Sequence, residues 1–329
     1  MQAIVLVGGE GTRLRPLTDD VPKPALTLVD RPFLAYMIEW LASHGVTEAV
    51  LACGFLPDVL RAALGEGEHA GVRLTYVTEP DRRGTAGAIR FAADALGERL
   101  GDRFLALNGD VLTDLDLGAL IRAHEERSAP ATVALHPVDD SAAYGLVSTD
   151  PGGVVTAFLE KTGEPVPGEI NAGAYLLERS VLDLIPPDRE ISIEREVFPR
   201  LVGDGLGALR LDGYWMDIGT PDRYLQASWD ILEGSVATRV RPTAPGLLIR
   251  SGAEVESSAT VGPRAVVSPG CRIAAGAQVR GSVLLEGCTV GEGARVERSV
   301  LAAGVTVEPG AVVKDAIFGR DERVPATPS

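Results

Sequence analysis

The sequence predicts an α/β protein in two parts, a Rossmann-like domain with a mixed sheet followed by a left-handed parallel β-helix. Three observations lead to this prediction. Strand-like and helix-like segments alternate over the first two thirds of the chain, a glycine-rich loop follows the first strand, and a six-residue repeat begins near residue 247. Alternation is typical of a mainly parallel sheet with helices on both faces. Because ligands bind beyond the carboxyl ends of such strands, we expect the site there.

The expected elements follow from short apolar runs and from apolar residues at helical spacing. Residues 3–7 form an apolar run that ends at two glycines, which predicts a buried strand. Phe33, Met37 and Leu41 recur on one face of a helix. By these criteria we expect strands at 3–7, 49–52, 73–78, 104–107, 131–136, 154–160, 173–178 and 206–211, and helices at 33–41, 57–64, 87–100, 115–126, 192–202 and 221–233.

In the C-terminal repeat, a small residue precedes an aliphatic residue by two positions. The pairs are Ala259/Val261, Ala265/Val267, Cys271/Ile273, Ala277/Val279, Cys288/Val290, Ala294/Val296, Val305/Val307 and Ala311/Val313. Most steps are six residues and two are eleven, which is typical of a hexapeptide β-helix whose stacked coils share one core. The two cysteines of the repeat are therefore expected to be small core residues. We expect domains at 1–235 and 247–319, a linker at 236–246 and a flexible tail at 320–329.

Composition excludes several classes of protein. Of the 329 residues, 45% are apolar and 23% charged, as in a folded chain, and the net charge of −15 disfavours nucleic acid or a membrane surface as partner. No apolar run approaches the roughly 20 residues of a membrane helix, and the N-terminus lacks the basic region of a signal peptide. Three cysteines without a C-x-x-C pair fit a reducing compartment, so we expect a cytoplasmic protein.

Two residue types are rare enough to mark special positions. Only three of the 31 basic residues are lysines, Lys23, Lys161 and Lys314, and the chain has only two asparagines, Asn108 and Asn171. Lysine is a compact point charge that arginine cannot replace at a tight phosphate. The surviving lysines and asparagines are therefore candidates for functional positions.

The loop after the first strand is the main chemical motif. It reads Gly-Gly-Glu-Gly-Thr-Arg from Gly8 to Arg13 and lacks both the Gly-Lys-Ser/Thr of a Walker loop and the third glycine of a dinucleotide fingerprint. Glycines allow backbone N–H groups to approach a polyphosphate, and Arg13 and Lys23 add positive charge. The full string, L-x-G-G-x-G-T-R-L-x-P-L-T followed by P-K-P, resembles the sugar-phosphate nucleotidylyltransferases, the nucleotide-sugar pyrophosphorylases.

Further motifs extend this resemblance over nearly the whole chain. Glu79-Pro80 with the Gly-Thr-Ala-Gly string from Gly84 resembles the family's base-recognition loop, and Asn108-Gly109-Asp110 and Trp215-Met216-Asp217 resemble its two metal-aspartate motifs. Segments around Tyr144-Gly145, Glu160-Lys161 and Asn171-Ala172-Gly173 resemble its sugar-phosphate site. The resemblance implies a nucleotide site of Leu6, Gly8, Gly9, Gly11, Thr12, Arg13, Glu79, Gly84, Thr85 and Asp110, a sugar-phosphate site of Gly145, Glu160, Lys161 and Asn171, and a Mg²⁺ site of Asp110 and Asp217.

The resemblance also implies a reaction. A phosphate oxygen of a sugar 1-phosphate attacks the α-phosphorus of a nucleoside triphosphate, and pyrophosphate leaves in line. The nucleophile is already an anion, so no general base is needed, and the task is positioning and charge. Magnesium would neutralise phosphate charge, Arg13 would stabilise the pyrophosphate, Lys23 would contact the α-phosphate and Lys161 would hold the incoming phosphate.

Glu79 favours one nucleotide. Guanine presents two adjacent donors, N1–H and N2–H₂, which a carboxylate can accept, whereas a pyrimidine edge suits an amide better. The Gly-Thr-Ala-Gly string also resembles the guanylyltransferase branch, and this resemblance implies GTP with mannose 1-phosphate. Open alternatives are a heptose or pseudo-sugar 1-phosphate with GTP, glucose 1-phosphate with TTP or ATP, and a regulatory subunit that binds nucleotide sugars without turnover.

Two segments have further interpretations. The repeat region contains no histidine, which argues against the acyltransferases that also carry such β-helices, so we expect the β-helix to serve assembly of a homo-oligomer or regulation. Ser192-Ile193-Glu194-Arg195-Glu196 predicts a helix start capped by Ser192, and it also resembles a segment of the mannose-1-phosphate guanylyltransferase branch. Asp110 and Asn171, taken alone, are also compatible with ordinary turns.

Overall fold

The computed structural model describes residues 1–159, 163 and 165–326, and it has the predicted fold class. The chain forms two compact units. The first comprises Met1–Gly9 and Met37–Trp215, and the second comprises Glu10–Tyr36 and Met216–Ser329. The glycine-rich loop is thus divided in sequence between the two units, and the domain boundaries expected from the sequence stay a prediction.

The first unit is built on one mixed sheet. Its strands are β1 (Gln2–Val7), β4 (Glu48–Cys53), β5 (Gly67–His69), β6 (Val72–Thr78), β7 (Arg103–Asn108), β9 (Ala131–Val138), β10 (Leu146–Thr149), β11 (Val155–Leu159), β12 (Gly168–Glu178) and β13 (Gly207–Arg210), and β8 (Val111–Thr113) lies outside this sheet. The strand order is β11-β10-β12-β7-β1-β4-β6-β5, and β9 pairs with both β12 and β13. Strands β7, β1, β4 and β6 are parallel, so their carboxyl ends share one edge.

Helices and buried side chains complete this unit. Its helices are α2 (Pro57–Leu64), α3 (Gly84–Leu96), α4 (Leu117–Arg127) and α5 (Phe198–Leu201), while α1 (Phe33–Ser43) and β14 (Trp215–Asp217) contain residues of both units. The core includes Ile4, Val50, Phe104 and Tyr175, none of which is exposed. These apolar runs form buried strands because helices cover the sheet faces, which removes the alternating pattern of a half-exposed strand.

Helix α3 differs from the prediction at both ends. It starts at Gly84 instead of residue 87, because the backbone N–H groups of Ala86 and Gly87 donate to the Ile191 carbonyl, a distant partner without a local sequence signal. It ends at Leu96 because Gly97 has a φ of 57°, and one 3₁₀ turn, Gly97–Arg99, follows. The Gly-Thr-Ala-Gly string is therefore the first turn of a helix and not a free loop.

The second unit contains the rest of the glycine-rich loop, the Pro22-Lys23-Pro24 motif and Asp217. It begins with 3₁₀ turns at Thr12–Leu14 and Lys23–Ala25 and the hairpin of β2 (Thr27–Leu28) and β3 (Arg31–Pro32). Helix α6 (Pro221–Glu233) follows Thr220, whose hydroxyl caps it by accepting the Arg223 N–H. The hydroxyl of Tyr224 donates to the Thr27 carbonyl, so α6 packs on the hairpin.

The β-helix consists of three stacks of short parallel strands, which matches the predicted left-handed parallel β-helix. The stacks are β15 (Leu247–Ile249), β18 (Ala265–Val267), β21 (Val283–Leu284), β24 (Val300–Leu301) and β27 (Ile317–Phe318); β16 (Glu254–Val255), β19 (Arg272–Ile273), β22 (Thr289–Val290), β25 (Thr306–Val307) and β28 (Arg323–Val324); and β17 (Thr260–Val261), β20 (Gln278–Arg280), β23 (Arg295–Glu297) and β26 (Val312–Lys314). Val283 pairs with both Val266 and Val300, a 17-residue coil. Each 17-residue coil has two sides of six residues and one side of five. A step that spans one long side and the short side is therefore eleven residues.

The core of the β-helix confirms the role predicted for its cysteines. Cys271 and Cys288 are fully buried with free thiols, and each thiol lies 3.1 Å from a backbone carbonyl oxygen, that of Leu285 or Ala302. Outside the core, the Arg250 guanidinium donates to the Asp30 carbonyl at 2.7 Å, which links the first coil to the β2–β3 hairpin. None of the helices in the described part of the chain combines the length and apolar character of a membrane span.

Candidate active site

The first unit places several predicted nucleotide residues at the carboxyl edge of its parallel strands. Gly8 follows β1, and Glu79 follows β6, where its N–H donates to the Cys53 carbonyl at 2.9 Å. Glu79 Oε1 lies 3.7 Å from the position that a Cβ on Gly8 would take, so these two predicted residues are neighbours. Gly9 is exposed with open space around its Cα, and Leu6 is half-buried within β1.

The carboxyl group of Glu79 has an unusual environment for a surface residue. Burial raises the pKa of Glu79, and the charge and a backbone hydrogen bond of Arg83 act in the opposite direction. A half-buried carboxylate beside a glycine backbone is suited to accept hydrogen bonds from a planar ligand edge. The role expected for Glu79 in base recognition stays a prediction.

The Asn108-Gly109-Asp110 motif and the Asn171-Ala172-Gly173 segment of β12 lie together in the first unit. The Gly109 N–H donates to the Leu6 carbonyl at 2.9 Å, which fixes half-buried Asp110 just beyond β7. The Asn108 amide nitrogen is 2.8 Å from the position of a Cβ on Gly173. Asn171 Oδ1 accepts the Gly173 N–H at 2.9 Å. The Asn171 N–H donates to the carbonyl of Gly145 at 3.1 Å, so Gly145 joins this group.

An aromatic cluster lies beside the Asn171-Ala172-Gly173 segment. Its residues were not among the predicted site residues. The Trp215 indole N–H donates to the Ala172 carbonyl at 2.8 Å. Its ring stacks on His136 with centroids 5.7 Å apart and meets Tyr144 edge-on at 5.3 Å. Tyr144 and Trp215 do lie within the motifs identified in the sequence, but His136, on β9, has no local signal because it reaches Trp215 only through the sheet.

In the second unit, the loop residues Gly11 and Lys23 are packed together. Gly11 has a φ of 65°, a left-handed conformation that favours glycine, and its carbonyl accepts the buried Thr18 hydroxyl at 2.9 Å. A Cβ on Gly11 would lie 3.2 Å from Lys23 Cβ. The side chain of Lys23 is only 8% exposed, so the ammonium group is held in place and not free in solvent. Thr12 is exposed at the start of its 3₁₀ turn.

Asp217 is surrounded by cations of the same unit. Its Oδ1 lies 3.3 Å from Lys23 Nζ, and its Oδ2 lies 3.4 Å from Arg223 Nη1. A Cβ on Gly219 would lie 2.6 Å from Arg13 Nη2, so Arg13 is also nearby. Two cations in contact with this carboxylate, and Arg13 nearby, place positive charge where it is suited to phosphate. The prediction missed Arg223, because the first turn of α6 does not by itself indicate that this side chain points back to Asp217.

Two of the predicted residues, Glu160 and Lys161, lie outside the described residues. Among the residues that are described, no group of three or more His, Cys, Asp or Glu side chains is arranged to hold a metal ion. The carboxylates of Asp110 and Asp217 nevertheless offer the hard oxygen donors that Mg²⁺ prefers, and Mg²⁺ often binds through one or two carboxylates with water and substrate phosphates. Their donor chemistry fits a cation that binds together with substrate phosphates.

Comparison with known proteins identifies relatives over most of the chain. A family model described as "Nucleotidyl transferase" matches residues 2–234, and one described as "GMPPB C-terminal domain" matches residues 243–327. The mannose-1-phosphate guanylyltransferase of Mycobacterium tuberculosis is 39% identical over 87% of this chain and 80% of its own. The probable mannose-1-phosphate guanylyltransferase 1 of Oryza sativa is 41% identical over 83% of this chain and 74% of its own. Among solved structures, HddC from Yersinia pseudotuberculosis is 28% identical with a TM-score of 0.62, over 70% of this chain and 99% of that one.

Proposed function

Because the chain belongs to the nucleotidyl transferase family, we propose that it is a mannose-1-phosphate guanylyltransferase, which converts GTP and mannose 1-phosphate into GDP-mannose and pyrophosphate. The observation that carries the proposal is the identity of about 40% to guanylyltransferases from a bacterium and a plant over more than four fifths of the chain. The environments of Glu79 and Asp217 support it independently.

The charges of the second unit support the chemistry of phosphate transfer. An oxygen of the sugar phosphate forms a bond to the α-phosphorus of GTP, and the bond from that phosphorus to the pyrophosphate oxygen breaks. Arg13 stabilises the charge of the leaving pyrophosphate, and Lys23 binds the α-phosphate region. Arg223 holds the carboxylate of Asp217 in orientation through its 3.4 Å contact. No residue needs to remove a proton, because the attacking oxygen is already ionised.

A divalent cation completes this site. Family members generally use one, and we propose Mg²⁺ held by Asp110 and Asp217; when bound with the substrates it would neutralise charge on their phosphates. The carboxylate oxygens of both residues fit that ion. Chelation with EDTA should abolish turnover, and added Mg²⁺ should restore it.

Recognition of base and sugar is assigned to the first unit. The Glu79 carboxylate accepts the N1–H and N2–H₂ of guanine, while the glycines of the loop let backbone N–H groups reach the phosphates. Asn171 and Gly145 bind sugar hydroxyls, beside the wall formed by Trp215 and His136. From the family resemblance, Glu160 binds sugar hydroxyls and Lys161 binds the sugar phosphate.

A panel of substrates tests the proposal. Pyrophosphate release is measured with GTP, ATP, UTP and TTP, each against mannose, glucose and heptose 1-phosphates, in the presence of Mg²⁺. We expect the highest kcat/KM for GTP with mannose 1-phosphate. A preference for heptose 1-phosphate or for glucose 1-phosphate with TTP or ATP would replace the substrate assignment, and nucleotide-sugar binding without any turnover would indicate a regulatory subunit.

Assembly and location remain predictions. We propose a homo-oligomer whose contacts involve the β-helix, since a solenoid presents lateral faces and an end coil to another subunit. Light scattering of the full chain tests this. The three cysteines are buried and free, which supports a reducing, cytoplasmic environment.

A further inference from the structure

The segment that starts at Ser192 contacts two parts of the proposed substrate site within the first unit. Ser192 caps it as predicted, since its hydroxyl accepts the Arg195 N–H at 3.2 Å. A single π-helical turn, Ile193–Val197, then leads into α5. Such turns are uncommon and occur frequently at functional sites. The turn directs the half-buried carboxylate of Glu194 toward hydroxyl groups of other elements.

One oxygen of Glu194 contacts Thr85, in the first turn of α3. Glu194 Oε2 accepts the hydroxyl of Thr85 at 2.7 Å and that of Ser192 at 2.7 Å. Thr85 Oγ1 in turn accepts the Ile193 N–H at 2.8 Å. The side chain of Thr85 is therefore fully engaged by this segment.

The backbones of the two segments are in direct contact at the same place. The Ile191 N–H donates to the Arg83 carbonyl at 2.9 Å, and the Ile191 carbonyl accepts the N–H groups of Ala86 and Gly87 at 2.9 and 3.3 Å. A Cβ on Gly84 would lie 2.5 Å from the Ile191 carbonyl oxygen, so only glycine fits there. The first turn of α3 thus takes its position from residues 191–194.

The other oxygen of Glu194 is connected, through Tyr175, to the Asn171-Ala172-Gly173 segment of β12. Glu194 Oε1 accepts the hydroxyl of Tyr175 at 3.2 Å. Tyr175 is fully buried on β12, and its hydroxyl oxygen accepts the Asn171 amide N–H at 2.8 Å. Because Asn171 Oδ1 accepts the Gly173 N–H, its amide has no alternative rotamer that preserves both bonds. The hydrogen-bonded series therefore runs from Thr85 through Glu194 and Tyr175 to Asn171.

We propose that Glu194 is a positioning residue that holds the first turn of α3 and the Asn171-Ala172-Gly173 segment of β12 in one hydrogen-bonded frame. The functional meaning of the two ends, Thr85 and Asn171, rests on the proposed function. Thr85, Ser192 and Tyr175 all donate to Glu194, so both of its oxygens act as acceptors, and an amide would turn an N–H toward at least one of these hydroxyls. Glu194 therefore acts on both substrates without touching either reacting atom.

Hydrogen exchange of the ligand-free protein tests the frame without any activity. Glu194→Gln should increase amide exchange both in the first turn of α3 and in residues 171–175. Tyr175→Phe, which removes only the relaying hydroxyl, should increase it in residues 171–175 alone. The matched control is Glu190→Gln, which removes the same charge at an exposed position four residues earlier. Unchanged exchange in Glu194→Gln, or equal increases in the control, would overturn the proposal.

Kinetics provide the second readout. Loss of one buried hydrogen bond corresponds to about a fivefold change in a binding constant, and therefore in KM. Glu194→Gln should raise KM for both GTP and mannose 1-phosphate by about that factor with a smaller change in kcat. Tyr175→Phe should raise only KM for mannose 1-phosphate. The proposal fails if Tyr175→Phe raises both KM values equally, or if Glu194→Gln leaves both within twofold. Absence of turnover in the wild type would reject the proposed function, and hydrogen exchange would still decide the frame.

Discussion

The two units present different kinds of groups to a substrate. In the first unit, hydrogen bonds hold Glu79 at the end of β6, Thr85 at the start of α3 and Asn171 within β12. In the second unit, Lys23 and Arg223 form ion pairs with one carboxylate, Asp217. Directional hydrogen bonds distinguish one ligand edge from another, whereas clustered cations stabilise phosphate charge without distinguishing bases. Mutations of Glu79, Thr85 or Asn171 should therefore change which substrate is used, whereas mutations of Lys23 or Arg223 should change the rate for every substrate.

The largest effect is expected for the two aspartates. Asp110→Asn and Asp217→Asn should each lower kcat by about a thousandfold or more, because each removes an anionic ligand proposed for a dication. Asp217→Asn should also lower the free energy of unfolding by about 2 kcal/mol, because it removes the carboxylate charge 3.3 Å from the buried ammonium of Lys23. Steady-state rates at saturating Mg²⁺ and urea denaturation measure the two effects. Near-normal turnover in either variant would exclude the metal assignment.

Trp229 tests how the second unit is stabilised. This side chain of α6 is 5% exposed, and the guanidinium carbons of Arg264 and Arg298, both in the β-helix region, lie 5.2 and 5.4 Å from its ring centroid. Trp229→Ala should lower the free energy of unfolding by about 3–5 kcal/mol through lost burial and packing. Trp229→Phe is the control and should lower the free energy of unfolding clearly less than Trp229→Ala does. If both variants unfold like wild type in a denaturant titration, the β-helix does not support α6.

Glu79→Gln sharpens the comparison, because it should change base preference more than rate. An amide places an N–H against a guanine donor, and an unpaired buried polar group costs about 1–3 kcal/mol, or roughly tenfold to a hundredfold in kcat/KM for GTP. The kcat/KM for UTP should fall less than that for GTP or should rise, because an amide both donates and accepts hydrogen bonds. The ratio of GTP to UTP turnover in the two proteins is the measurement. An unchanged ratio would show that the loop backbone reads the base.

The smallest expected effect is a pH dependence of the same preference. Burial raises the pKa of Glu79, so its carboxylate takes up a proton at a higher pH than an ordinary glutamate does. Guanine binding is complete above this raised pKa and is lost as the pH falls through it. The ratio of KM for GTP to KM for UTP should therefore rise on acidification, and titration of the triphosphates cancels in that ratio. Glu79→Gln should make the ratio independent of pH; a rise that persists in this variant would assign it to another group.

Local sequence signals were sufficient for much of the fold. The boundaries of α2 and α6 match the predicted helices to the residue, and the small–aliphatic pairs place Cys271 and Cys288 in the β-helix core. These predictions succeed because periodic burial and capping residues act over a few positions. The scarcity of lysine and asparagine also identified Lys23 and Asn171, both of which the structure places in polar clusters.

Contacts between distant residues were not predictable in this way. Thr85 and Glu194 are 109 positions apart, and nothing near either residue indicates the other. The same separation problem hid the role of Ile191 in starting α3 at Gly84. Arg223 was missed for a different reason: it is close in sequence to Asp217, but an arginine in the first turn of a helix is usually a solvated surface residue.

The regular coil of the β-helix also determines how its length can change. Val266, Val283 and Val300 occupy the same place on successive coils, and Ser299 donates its N–H to Ser282, 17 positions earlier. Removal of 17 consecutive residues from the middle of the stack would therefore leave every later side chain facing the side it faces now. Removal of 16 or 18 would rotate them out of phase and move core valines to the surface. The β-helix can thus be shortened or extended in steps of one 17-residue coil, and its cross-section stays the same.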